Sequence, residues 1–108
     1  MKAVYFQRGE TLDHFPTENV ENGAVVDLGT RIGVAAAPIL AGEQGAVHVV
    51  GVFAMTKADG EAITQGTAVY YDAEADAITA TEDSNTPAGY AAASAATTDA
   101  TVLVKLLG

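Results

Sequence analysis

The apolar residues of this chain fall into short alternating segments, separated by glycine, asparagine or aspartate at intervals of roughly ten residues. In the segment 101–106, Val102, Val104 and Leu106 occupy every second position. A period of two is that of a half-buried strand, and short strands at this spacing are typical of sandwiches and barrels. The sequence therefore predicts an all-β fold, a small single-domain β-barrel or sandwich of short strands with glycine turns, over residues 1–108.

Similar patterns predict the remaining strands. The alanine-rich segment 91–96 is too short for a stable helix and follows Pro87 and Gly89, which favours a strand of small residues. Residues 73–77 are acidic and polar enough to form the turn of a hairpin. In chain order, we expect strands at 5–6, 47–55, 67–72, 77–81, 91–96 and 101–106.

A weak internal repeat points to a common type of turn. Val20, Ile39 and Ile63 are each followed three residues later by a glycine. We expect the aliphatic side chain to fill the core and the glycine to take a positive φ. A second set of glycines stands within strand-like segments, where glycine marks a bulge or a bend: Gly33, Gly51 and Gly89.

The charge balance limits the partners of the protein. Fourteen acidic residues against five Lys and Arg give a net charge of −9, which argues against binding to nucleic acid or to anionic membranes. The longest apolar stretch, 32–41, is too short to cross a bilayer. Twenty-two alanines leave a thin core, and association into a homo-oligomer would supply the missing burial.

No constellation of catalytic residues is recognisable, so we predict a protein that is not an enzyme, with no catalytic residue, cofactor or metal. The phosphate-binding glycine-lysine loop is missing. Ser84 and Ser94 lack the flanking glycines of a nucleophile elbow, and His14 and His48 lack metal-ligand spacing. The alternating carboxylates at 72–76 lack the glycine and glutamate that complete a calcium loop.

The aromatic residues are the best candidates for a protein interface. Apart from its aromatic residues, the segment 1–22 is mainly polar, and we expect it to form an arm or a long loop. Consecutive residues of a strand face opposite sides, so we expect one tyrosine of the pair at 70–71 in the core and the other exposed. The candidate interface residues are Tyr5, Phe6, Phe15, Tyr70 and Tyr71.

The order of these segments resembles the small capsid cement, or decoration, proteins of tailed phages and prophages. The most specific stretch is 62–72, which is similar to the family's Ala-Ile-x-x-Gly-x-x-Val-Tyr-Trp-Asp but has Tyr71 in place of the tryptophan. Further matching segments are 7–12, Val20 with Gly23, 32–35, 41–43, 51–53 with Lys57, 87–91 and 99–106. Some members carry a RecA/RadA recombinase label, which the missing phosphate-binding loop contradicts.

The resemblance implies a structural virion protein that binds the outer surface of the expanded capsid and stabilises it. Its partner would be the major capsid protein. The cement protein itself would be a homo-oligomer, with a trimer favoured and a dimer as the alternative. It would be made in the bacterial host cytoplasm. The alternative function is a phage tail, baseplate or head-fibre β-module that binds protein or glycan.

Overall fold

The computed structural model describes residues 1–107, which form nine short strands and no helix. Accordingly, no helix that could cross a lipid bilayer occurs among these residues. The strands are β1 (Thr11–His14), β2 (Val25–Asp27), β3 (Ile32–Ala35), β4 (Gly45–His48), β5 (Val52–Thr56), β6 (Ala68–Asp72), β7 (Ala77–Thr79), β8 (Thr86–Ala91) and β9 (Thr101–Leu106).

The strands form two antiparallel sheets. The four-stranded sheet has the order β1-β4-β3-β2, and the five-stranded sheet has the order β5-β9-β8-β6-β7. Neither sheet closes on itself, so the all-β prediction is confirmed as a sandwich and not as a barrel.

The main core lies between the two sheets. Val102, Val104 and Leu106 on β9 are all buried, as their alternation predicts, and they belong to one cluster with Ile32 and Val34 of the other sheet. Burial of alternate residues from both sheets is the arrangement expected of a sandwich.

A second, smaller core lies on the other side of the four-stranded sheet. It contains Val26, Ala35, Ile39, Val47 and Val49, all of them buried. Every residue of β3 is consequently buried, because its two faces contribute to different clusters. The thin supply of large apolar residues is thus divided between two cores.

The predicted turns of the aliphatic-x-x-Gly type are confirmed. Ile39 and Ile63 are buried and Val20 is partly buried. Val20 and Ile39 exchange two backbone hydrogen bonds of 2.8 Å, which tie their turns together across the second core. The glycines three residues later take φ values of +79°, +79° and +88° at Gly23, Gly42 and Gly66.

The glycines of the second set differ in conformation. Gly51 has φ +128° and Gly89 has φ +149°, and the register of β6 with β8 shifts between Val69 and Tyr70. Gly89 lies so close to β9 that a Cβ placed there would overlap the carbonyl oxygen of Lys105. Gly33 has no such φ and continues β3, so its predicted bulge or bend is wrong.

Two strand predictions in the first half of the chain are wrong. Residues 1–9, including Tyr5 and Phe6, have no strand partner. The segment 47–55 is not one strand, because β4 ends at His48 and β5 begins at Val52 in the other sheet. The positive φ of Gly51 turns the chain between them, which alternation of apolar residues does not reveal.

The predicted strand at 91–96 is also wrong beyond Ala91, where β8 ends. Residues 92–96 form a loop that lies against the turn at Ile63, and Ile63 and Ala95 exchange backbone hydrogen bonds of 2.9 and 2.7 Å. Small side chains allow two loops to approach this closely. The hairpin turn predicted at 73–77 is confirmed, with Asp72 paired with Ala77.

A buried lysine holds the loop that follows β5. Lys57 is only 2% exposed, and its Nζ donates hydrogen bonds to the carbonyl oxygens of Ala58 and Glu61, at 3.0 and 2.6 Å. The carboxylate of Glu61 accepts hydrogen bonds from the Thr79 hydroxyl and the Ala80 amide. The lysine and the glutamate thereby fix the loop to β7.

Candidate functional site

Polar residues that resemble catalytic groups have structural partners here. The Ser94 hydroxyl accepts a 2.9 Å hydrogen bond from the Gln65 amide and so joins two loops. His48 is half-buried, with its ring centroid 5.9 Å from that of Phe53. Within residues 1–107, no three His, Asp or Glu side chains are grouped so that they could hold a metal ion.

An open cleft of about 500 Å³ separates the edges of the two sheets. Its lining includes Val34, His48, Phe53, Tyr71 and Asp76. The lining mixes apolar side chains with polar ones, among them His48 and the hydrogen-bonded pair of Tyr71 and Asp76. Of the five candidate interface residues, Tyr71 lines this cleft and the other four do not.

Tyr71 is held by the acidic hairpin. Its ring packs against the main core, and its hydroxyl donates a 2.7 Å hydrogen bond to Oδ1 of Asp76. Burial, this hydrogen bond and the negative charges of Asp76, Asp27 and Asp72 raise the pKa of Tyr71 to about 12. The phenol therefore serves as a neutral donor that fixes the turn at 73–77.

The other strand tyrosine does not provide the exposed member of the pair that we expected. Tyr70 and Tyr71 are both half-buried, and Tyr70 pairs with the buried Thr79 on β7. The loop held by Lys57 lies over this part of the sheet, since Glu61 bonds to Thr79. Coverage by a distant loop explains why strand alternation alone misjudges Tyr70.

The three aromatic residues near the N-terminus are all well exposed. Tyr5 and Phe6 are 79% and 87% exposed, and Phe15, just after β1, is 64% exposed. Among the described residues the one aromatic ring pair is that of His48 and Phe53, so these three rings pack on no other ring. Large apolar side chains left in solvent are typical of a surface that a partner covers.

Residues 1–9, which we call the N-terminal segment, leave the fold at the start of β1. The amide of Val49 donates a 3.0 Å hydrogen bond to the carbonyl of Glu10, which anchors the base of this segment. Further along the expected arm or loop, β1 pairs with β4 and Pro16 is buried. The exposed aromatics of the N-terminal segment therefore extend from a fixed point on the four-stranded sheet.

Sequence reasoning missed three exposed apolar residues on the five-stranded sheet. Val52, Tyr90 and Leu103 are 52%, 48% and 44% exposed. The exposure of Leu103 could have been predicted, because it lies between Val102 and Val104, which face the core, and so must point to the opposite side of the strand. Tyr90 follows the Gly89 bulge, and its facing could not be counted from the sequence.

Comparison with protein-family models found a match. A protein-family model described as phage cement protein matches residues 6–106. No curated protein and no solved structure matched the chain. The family match covers all nine strands, and it agrees with the resemblance found in the sequence.

Proposed function

The chain belongs to the phage cement protein family, and from that membership we propose that it binds the outer surface of the expanded capsid and stabilises it. Membership gives the protein a structural role on the phage capsid. We propose three further points: the protein binds the expanded form of the capsid, it binds the outer surface, and its partner there is the major capsid protein. The observation that carries it is the match over residues 6–106.

Features of the fold support this role. Two packed sheets without helices among residues 1–107, with hydrogen-bonded turns within each half, make a rigid body that loses little conformational entropy on binding. The exposed Tyr5, Phe6 and Phe15 offer apolar anchors for a coat subunit. Tyr70 and Tyr71, which are half-buried, would contribute only their exposed edges. A homotrimer, with a dimer as the alternative, would place several such anchors on neighbouring coat subunits.

Cosedimentation with phage heads that lack the protein tests the proposal. We expect saturable binding to expanded heads and none to unexpanded heads. Decorated heads should also melt at a higher temperature than bare heads, because a ligand that binds only the assembled state stabilises it. Failure of the folded protein to bind either form, together with binding to a glycan array, would instead favour a tail or fibre module.

The N-terminal segment should contribute strongly to this binding. We expect the double variant Tyr5→Ser, Phe6→Ser to bind expanded heads at least about 30-fold more weakly, since the loss of even one buried aromatic anchor costs about 2 kcal/mol. Deletion of residues 1–9 should have the same effect and leave thermal unfolding unchanged, because these residues form no strand and bury no side chain. The matched control is Leu40→Ser, at a residue that is 56% exposed and lies elsewhere. Normal binding by the deletion variant would show that the segment is not a contact.

A further inference from the structure

Over β5, β9, β8 and the start of β6, one face of the five-stranded sheet is apolar and open. Lys105 on β9 lies between Val52 of β5 and Tyr90 of β8, and Tyr90 is paired in turn with Ala68 of β6. This row of four residues crosses the sheet over about 14 Å, at the usual spacing between strands. Leu103 lies next to the row on the same face of β9 and opposite Ala54. We call this surface, consisting of Val52, Ala54, Ala68, Tyr90, Leu103 and Lys105, the outer face.

The composition of the outer face departs from that of the rest of the chain. The protein has fourteen carboxylates, yet none of them belongs to the outer face. Its one charged residue is Lys105, whose Nζ donates a single 3.0 Å hydrogen bond to the Leu106 carbonyl. An ammonium has three donors, so two remain for a partner. An apolar centre with one cation is therefore presented by a protein of net charge −9.

The surroundings of the outer face are polar and fixed. The carbonyl of Leu103 accepts a hydrogen bond from the Ala92 amide. The carbonyl of Ala92 in turn accepts a 3.0 Å hydrogen bond from the Gln65 side chain, which therefore lies beside the outer face. At the other end of β5 the face finishes with Thr56 paired with Thr101. An apolar centre within a polar rim is the usual composition of a protein interface.

The fold itself does not need these exposed apolar side chains. The alternate residues of β5, β8 and β9 already fill the main core, while Val52, Tyr90 and Leu103 remain roughly half exposed. Threonine or serine would satisfy the same strands on a solvated face. The presence of valine, leucine and tyrosine there points to a partner and not to packing within the chain.

From these observations we propose that the outer face docks on an apolar patch of the coat protein that places a carboxylate opposite Lys105. This inference rests on the proposed capsid-binding function and names a second contact surface for it. Charge selects this occupant over the two others that the chain offers. The N-terminal segment carries Lys2 and Arg8 and no carboxylate, and a two-fold contact between the outer faces of two copies would bring lysine towards lysine.

Binding of full-length variants to expanded heads, measured by cosedimentation, tests the inference. Tyr90→Ser should weaken binding by at least about 30-fold, as expected for loss of a central aromatic anchor. Lys105→Glu should weaken it at least as much, because it sets two carboxylates against each other, and Lys105→Gln should fall between Lys105→Glu and the wild type. Leu40→Ser is again the control, and unchanged thermal unfolding of each variant shows that the fold is retained.

The outcomes separate the two proposals. If the wild type itself does not bind expanded heads, the proposed function fails. If the wild type binds and the outer-face variants bind as the Leu40→Ser control does, the capsid role stands and this inference is overturned. It is equally overturned if Tyr90→Ser lowers the molecular mass of the free protein in analytical ultracentrifugation, because the occupant is then a second copy.

Discussion

Gly89→Ala should abolish the native fold or lower its free energy of unfolding by more than about 3 kcal/mol. Gly89 has φ +149°, a conformation that residues with a side chain rarely adopt. In addition, the added methyl group would overlap the Lys105 carbonyl oxygen and approach the Leu106 Cα, at 3.2 Å. These are backbone atoms of β9, which is held between β5 and β8 and cannot move aside without breaking both pairings.

Thermal unfolding followed by circular dichroism measures this effect, and Gly66→Ala is the matched control. Gly66 also has a positive φ, of +88°, but a Cβ there would meet nothing within 4 Å. We expect the control to lose only about 1–2 kcal/mol, from backbone strain alone. Equal losses in the two variants would mean that β8 and β9 do not approach as closely as the structure indicates.

Lys57→Met should lower the free energy of unfolding by about 2–3 kcal/mol. Methionine keeps an aliphatic side chain that fills the site. The decrease in the free energy of unfolding therefore measures the contribution of the ammonium group and its two hydrogen bonds. The partly buried carbonyls of Ala58 and Glu61 would lose the donor that they share, and a hydrogen-bonding group left without its partner costs more than the removal of both groups together. The loop over β7 would then lose its attachment.

Urea unfolding followed by tyrosine fluorescence suits this comparison, since the chain has four tyrosines and no tryptophan. Lys105→Met provides the control, because Lys105 also donates to a backbone carbonyl but is only half-buried. Its loss should stay within about 0.5 kcal/mol. If Lys57→Met proves as stable as the wild type, the lysine does not hold the loop.

The strands and turns could be predicted wherever local chemistry decides them. Alternation places Val102 and Val104 in the core, and the glycines after Ile39 and Ile63 mark tight turns, because these patterns depend on neighbours in sequence. Membership of a sheet depends on distant pairing. The segment 47–55 reads as one strand, although its two halves belong to different sheets.

Prediction of the candidate site had the same limit. The exposure of Tyr5 and Phe6 follows from the absence of an alternating pattern around them, which the strand predicted at 5–6 overlooked. The half-burial of Tyr70 depends on a loop fixed by Lys57, and the facing of Tyr90 depends on the Gly89 bulge. Each of these results from contacts between parts of the chain that are far apart in sequence.

The hydrogen bond between Val49 and Glu10 has a mechanical consequence. Val49 belongs to the three-residue connection between β4 and β5, which is the covalent link from one sheet to the other, and its amide holds the base of the N-terminal segment. Tension applied through that segment would therefore reach both sheets at their junction, without first stretching a slack loop. The protein would therefore act as a stiff tether, because a force applied to its N-terminal segment is resisted by both sheets of the sandwich.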